Sequence, residues 1–153
     1  MLNPKEYSTT GNQEIDGVLN YMLQKANETL NQVDVQINIP EDLYFNNFNI
    51  CVILGNLVDN AVREASKSKE KLLTIKMQIK QEVLLIFIEN SYSGKILEKR
   101  NGLQTTQPEL AIHGIGLENV KKVVIDNGGE IKIDYTSNRF CVQVLLYMSR
   151  IKN

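Results

Sequence analysis

Val83-Leu84-Leu85-Ile86-Phe87-Ile88 is an unbroken apolar run, bounded by Gln81-Glu82 on one side and Glu89-Asn90-Ser91 on the other. It is far too short to cross a bilayer, which takes about 20 residues. Its β-branched and aromatic side chains suit a strand. Because the run does not alternate, it implies either burial on both faces or a central place in a sheet. The rest of the chain must then supply strands to flank it and helices to cover it.

Those elements are legible from their periods. From Asn12 the apolar residues Ile15, Val18, Leu19, Met22, Leu23, Ala26 and Leu30 recur at steps of three and four, which predicts a helix. Val33, Val35, Ile37 and Ile39 alternate as a half-buried strand ended by Pro40. Leu43 to Asn47 reads as a short strand or a bridge, and a second helix runs from about Asn47 to Ser66 with Ile50, Ile53, Leu54, Leu57, Val58, Ala61 and Ala65 inward. Lys67 to Lys71 reads as a solvated turn, and Leu73, Ile75, Met77 and Ile79 alternate ahead of the apolar run. Between Glu89 and His113 the period vanishes over about two dozen residues, long enough to suggest a functional loop. Gly114-Ile115-Gly116-Leu117 then opens a third helix, closed by Asn127-Gly128-Gly129. Ile131, Ile133 and Tyr135, then Phe140, Val142, Val144 and Leu146, read as an antiparallel hairpin turning at Thr136-Ser137-Asn138.

Strands arriving in hairpins with helices between them predict an α/β two-layer sandwich: a mixed sheet with three main helices on one face. With 153 residues the chain reads as one domain over 12–153, preceded by a polar lead-in over 1–11. Charge narrows the partners. Seventeen Lys+Arg against 18 Asp+Glu leave a net charge of −1, which excludes the basic excess of a nucleic-acid binder. Two cysteines without CxxC spacing make neither a disulfide framework nor a zinc site, and suit a cytoplasmic setting. No apolar run is long enough to span a membrane, so no direct membrane contact is expected of this chain. A single histidine, His113, excludes a His–His metal pair.

Three segments carry polar chemistry. In the second helix Asn56, Asn60, Arg63 and Glu64 are spaced by three and four and share one side. Asn disfavours helix interiors because its amide competes for backbone hydrogen bonds, so two on one side ask for a reason, either a ligand or a solvated face. Asn90 ends the apolar strand and either faces a crevice or makes a turn. Gly114 and Gly116 stand at a loop-to-helix junction, where glycine permits close approach and helix-start N–H groups favour anions.

In combination these segments resemble the GHKL ATP-binding superfamily, and within it the catalytic domain of sensor histidine kinases. Leu54-Gly55-Asn56-Leu57-Val58-Asp59-Asn60-Ala61-Val62-Arg63-Glu64-Ala65 resembles the N box, and Gly114-Ile115-Gly116-Leu117-Glu118-Asn119-Val120-Lys121 resembles the second glycine box. Thr10-Gly11-Asn12-Gln13-Glu14-Ile15-Asp16 and the pattern around Asn90 resemble the peptide-pheromone sensor kinases of Gram-positive bacteria.

The resemblance implies ATP and Mg²⁺ as cofactors. Asn60 would ligate Mg²⁺, Asn56 would line the phosphate side, and these two would carry catalysis. Arg63 would contact phosphate. Asn90 would take the place of the adenine-binding Asp, with Gly94 as the glycine of the following motif. Residues 91–113 would form a lid hinged at Gly114 and Gly116, with Ile115 and Leu117 at the helix start beneath the phosphates. The partners implied are a dimerisation segment bearing the phosphoacceptor histidine and a downstream response regulator. Because His113 falls in the lid, the acceptor is expected on a segment absent from this chain, which then reads as an excised cytoplasmic part of a membrane-anchored sensor.

Departures from the family pattern accompany the match. Asn90 keeps an acceptor oxygen but no charge, which implies weaker nucleotide binding. Ser91 and Tyr92 stand where the family has Asn and Gly, and imply a narrower pocket; Gln107 follows Thr105-Thr106 where a lysine is common. These features motivate an alternative, a nucleotide-insensitive interaction module with a decayed site. Hydrolases of the superfamily place a glutamate general base four residues before the magnesium-binding Asn. Here that residue is Asn56, which cannot take a proton, so a self-contained ATPase is disfavoured. Tyr7, Tyr21, Phe45 and Phe48 are expected to pack, and Cys51 and Cys141 to serve as small buried hydrophobes.

Overall fold

The computed structural model describes residues 7–43, 45–93 and 115–147, residue 115 by its backbone alone. The elements run α1 (Gln13–Thr29), β1 (Gln32–Asn38), α2 (Asn47–Lys67), β2 (Leu72–Lys80), β3 (Val83–Ser91), α3 (Ile115–Asp126), β4 (Glu130–Tyr135) and β5 (Arg139–Tyr147). The strands form one five-stranded sheet in the order β1-β2-β3-β5-β4. β1 and β2 are parallel, joined by α2 as the crossover that parallel neighbours need. The remaining pairs are antiparallel, so the sheet is mixed as predicted. Leu43, Phe45 and Asn46 belong to no strand, and Asn46 instead caps α2 by accepting from the Asn49 N–H.

The apolar run takes the central strand. Leu84, Ile86 and Ile88 are buried against the helices, beside Leu73, Ile75 and Met77 of β2 and Val142, Val144 and Leu146 of β5. Ile15, Leu19 and Leu23 of α1, Ile50, Ile53, Leu54 and Leu57 of α2, and Val120 and Val124 of α3 complete this core. Val83, Leu85 and Phe87 alternate with the buried residues and are half-buried on the other face. The run is apolar throughout because a central strand is shielded by its neighbours at both edges, even where no helix covers it. Two aromatics depart from expectation: Tyr21 is 64% and Phe48 74% exposed, whereas Phe45 is buried. Both exposed rings lie on helices, where the side chain opposite the apolar stripe meets water whatever its chemistry.

The β2–β3 connection is a two-residue loop, Gln81-Glu82, between the paired Lys80 and Val83. Both loop residues have positive φ, 53° and 65°, as the right-handed twist of a tight hairpin requires. Neither is a residue type that tolerates this conformation cheaply. Replacing the pair by Asn-Gly is therefore expected to stabilise the chain by about 1 kcal/mol, read as a higher urea midpoint with unchanged m-value.

Ahead of α1, the chain from Tyr7 to Asn12 is fastened to the helix. Asp16 Oδ1 accepts from the Ser8 hydroxyl (2.6 Å), the Thr10 hydroxyl (2.9 Å) and the Thr10 N–H (3.1 Å), while Oδ2 accepts from the Gly11 N–H (3.0 Å). Asn20 Oδ1 accepts from the N–H groups of Tyr7 and Ser8. Burial alone would raise the Asp16 carboxyl, but these donors outweigh it and hold it below its ordinary value. A carboxyl lowered on folding contributes stability that is complete above its unfolded pKa and is lost as pH falls through the folded value. Asp16→Asn should thus lower the urea midpoint at pH 7, with the gap to the parent closing as pH drops through the acid range.

Candidate functional site

The two asparagines of α2 face the start of α3. Asn56 donates from Nδ2 to the Val52 carbonyl (2.8 Å), the i−4 bond of a polar residue inside a helix, and so leaves Oδ1 as its outward acceptor. Gly116 lies directly against that oxygen. A Cβ built there would meet Asn56 Oδ1 at 3.2 Å, a tight contact, and both amide atoms of Asn60 at 3.6 Å, so glycine lets α3 approach α2 without displacing the Asn56 amide.

Asn60 is 7% exposed. Its Oδ1 accepts from Arg63 Nη1 (3.3 Å), and its buried Nδ2 has no partner among the described residues. An unpaired buried donor costs about 1–3 kcal/mol, which a structural role alone does not justify. Arg63 also pairs with Asp59 and is largely exposed, so one guanidinium spans Asp59 and Asn60 at the rim of the site. Near-neutral groups and one tethered cation make this a weakly charged pocket, in keeping with a net charge of −1.

From Asn60 a slot runs to Asn90, lined by Leu57, Ala61, Ile88, Leu117, Phe140 and Val142. Apart from its two asparagines the lining is apolar, as a flat ring system requires. Its free volume among the described residues is about 10 Å³, room for roughly one water, so a ring would have to part the walls. Asn90, 4% exposed, donates from Nδ2 to the Ser91 carbonyl (2.9 Å).

The fold thus brings Asn56, Asn60, Asn90, Gly116 and Leu117 to one place, with Arg63 at the rim and Ile115 as the first residue of α3. Gly94 and Gly114, together with His113, Thr105, Thr106 and Gln107, lie outside the described residues. Tyr92 is not among the residues that line the slot. Its hydroxyl donates to the Thr136 carbonyl (2.7 Å) and its N–H to the Asn138 carbonyl (3.1 Å), which turns the side chain towards the β4–β5 turn. The wall comes instead from Phe140, whose ring stacks on Tyr135 (centroids 6.2 Å, 9°) and meets Tyr92 edge-on (5.7 Å, 74°). Sequence reading missed Phe140 as a site residue because its alternation marks only a core-facing strand position; nothing in the period separates a core side chain from one lining a slot.

Other candidate chemistry is absent among the described residues. No group of three or more His, Cys, Asp and Glu side chains could hold a metal ion, and no helix is long and apolar enough to cross a membrane. Both cysteines are free and only half-buried. Burial, then the charges of Glu89 and Asp134, push the Cys141 thiol up to about 11, so it stays protonated and unreactive near neutral pH.

A family model described as the GHKL domain matches residues 45–147, a stretch that contains every site residue named above. No curated protein matches the chain. Among solved structures, the catalytic domain of histidine kinase ThkA in a nucleotide-free form is 20% identical with a TM-score of 0.63, covering 96% of this chain and 98% of that one. Acinetobacter baumannii histidine kinase AdeS is 18% identical with a TM-score of 0.63, covering 96% of this chain and 69% of that one. The mycobacterial sensor histidine kinase MprB is 16% identical with a TM-score of 0.57, covering 87% and 93%. At these identities the likeness is one of fold, and the five-stranded mixed sheet with three helices is the architecture of histidine kinase catalytic domains.

Proposed function

The chain belongs to the GHKL domain family, and from that premise we propose that it binds Mg·ATP as the catalytic domain of a two-component sensor histidine kinase. The γ-phosphoryl would pass to a histidine on a separate dimerisation segment, and from there to a response regulator. The observation that carries this reading is the cradle between α2 and α3: Gly116 set against Asn56 Oδ1, next to a buried Asn60 amide whose Nδ2 has no partner among the described residues. Such a cradle suits a ligand dense in acceptor oxygens, and α3 begins beside it, where a helix start favours anionic groups.

The residues fit the cofactors. Asn60 Oδ1, which now accepts from Arg63, would be the hard oxygen that holds a magnesium ion. Mg²⁺, when bound, would neutralise phosphate charge. Asn56 would keep its Nδ2 on Val52 and stay fixed in orientation along the phosphate side. Arg63, loosely held by the exposed Asp59, would turn to phosphate, where a charge-assisted bond is stronger. In the transfer itself an imidazole nitrogen of the acceptor forms the new bond to phosphorus, the bond to the β–γ bridging oxygen breaks, and ADP leaves. Imidazole needs little activation, so positioning and charge neutralisation suffice. Asn56 cannot serve as a general base, so water is a poor competitor.

Assignment to the peptide-pheromone subgroup is supported by the chain before α1: Thr10, Gly11 and Asp16, which carry that resemblance, form one hydrogen-bonded set. A cytoplasmic place beneath a membrane-anchored sensor follows from the same reading. The second reading, a nucleotide-insensitive interaction module, is favoured by the small free volume of the slot.

Titration with a fluorescent ATP analogue, with and without Mg²⁺, separates the two. Magnesium-dependent saturation supports the kinase reading, and no binding at millimolar nucleotide overturns it. Supplying the histidine-bearing dimerisation segment should then yield acid-labile phosphate on that segment.

A further inference from the structure

Among the described residues that line the slot, Asn90 is the only polar side chain at its end, and one contact decides what it can offer. Its Nδ2 lies 2.9 Å from the Ser91 carbonyl oxygen, inside a residue that is 4% exposed. A carbonyl oxygen only accepts, so the amide atom facing it must be the nitrogen. Turning the amide over would set two oxygens against each other in a buried site. No hydrogen bond among the described residues engages Oδ1 of Asn90. Its strand alternation with Leu84, Ile86 and Ile88 puts the side chain on the helix face, where the slot lies.

The Ser91 carbonyl is itself held in place. Ser91 pairs with Arg139 across β3 and β5. Its buried side-chain Oγ is 2.7 Å from Ser68 Oγ at the end of α2, and accepts from the Leu72 N–H (2.8 Å) at the start of β2. Three elements therefore fix the peptide that fixes the amide.

We propose that Ser91 sets the polarity of Asn90, so that this chain selects an amino-bearing purine over a 6-oxo purine with a neutral acceptor and excludes an aspartate at position 90. This rests on the nucleotide-binding reading and adds to it. An exocyclic amine finds Oδ1 as acceptor. A 6-oxo group meets that oxygen head-on, and the amide cannot turn to supply a donor. Misplaced acceptors in a buried site discriminate more strongly than lost apolar contacts do. An aspartate would place a second oxygen where Nδ2 now donates to the Ser91 carbonyl, replacing a hydrogen bond by repulsion. Restoring the family's usual residue should therefore weaken binding here.

The test measures ATP and ITP affinity for the full chain by competition against a fluorescent ATP analogue, then repeats both for Asn90→Asp, Asn90→Leu and Ser91→Ala, with a thermal melt to confirm each fold. For the parent, ATP should bind at least about tenfold more tightly than ITP. Asn90→Asp should bind ATP more weakly than the parent, and Asn90→Leu should bring the ATP/ITP ratio close to one. Ser91→Ala leaves Asn90 in place but loosens the peptide that orients it, so the ratio should fall while both nucleotides still bind. Equal parent affinities for ATP and ITP, or tighter ATP binding by Asn90→Asp, would overturn the polarity assignment and leave the nucleotide-binding reading intact. If the parent binds neither nucleotide at millimolar concentration, both fall together.

Discussion

Asn60→Leu is expected to make the chain more stable and to weaken strongly the magnesium-dependent nucleotide binding proposed for it. Asn60 is 7% exposed, and its Nδ2 has no partner among the described residues. Leaving a donor unpaired in the interior costs about 1–3 kcal/mol, and an apolar residue of similar size removes that cost. The loss on the other side is small, because the bond from Arg63 is long at 3.3 Å and Arg63 keeps Asp59. A net gain of about 1 kcal/mol should raise Tm by about 2–4 °C. Nucleotide affinity should fall by at least about 100-fold with Mg²⁺ present, since the variant has no oxygen to offer the ion. Opposite signs on the two readouts mark a residue kept for function at the expense of stability. If Asn60→Leu melts several degrees below the parent, the amide serves the fold and the site assignment fails.

Gly129→Ala should have the largest effect on stability of any single methyl added to the described residues with glycine at present. A Cβ at this position would stand 2.5 Å from the Leu145 carbonyl oxygen, 2.7 Å from Leu146 Cδ2 and 3.2 Å from Val124 Cγ1. None of these can yield cheaply. Leu145 is paired with Glu130, the residue after the glycine, so its carbonyl belongs to the β4–β5 ladder. Val124 and Leu146 are fully or nearly fully buried. The Gly129 N–H also donates to the Val124 carbonyl (2.9 Å), closing α3, while the preceding Gly128 takes the positive φ of 72° that ends the helix. Overpacking against main chain should cost about 3 kcal/mol or more, a Tm lower by about 6–12 °C. Gly17→Ala is the natural comparison, because a Cβ there meets nothing within 4 Å in the middle of α1. That change should stabilise by about 0.5–1 kcal/mol. A Gly129→Ala variant that melts with the parent would show that α3 and β5 are not packed as described.

Much of the site was readable before any coordinates, because it is written in residues that break a local rule. Asn56 and Asn60 stand inside an apolar helix, and Gly116 opens another; each carries a local cost that asks for an explanation. The walls of the slot were not readable. Phe140 obeys its strand's alternation, as do Val142 and Ile88, so nothing distinguishes them from ordinary core residues. Tyr92 misled for a related reason. Its position beside Asn90 suggested a narrowed pocket, but its hydrogen bonds to Thr136 and Asn138 carry it to the β4–β5 turn, and those partners are brought near only by the pairing of β3 with β5.

By itself the sequence determined the elements and the side of each that faces inward, because periods of two and of three to four residues are properties of local chain geometry. It also determined which residues carry unusual cost. The tertiary structure alone decided that β5 inserts between β3 and β4, that β1 runs parallel to β2, and that the Asn90 amide gives its nitrogen to the Ser91 carbonyl. Strand order and amide polarity depend on partners distant in the chain or on the orientation of a neighbouring peptide, and neither leaves a periodic trace.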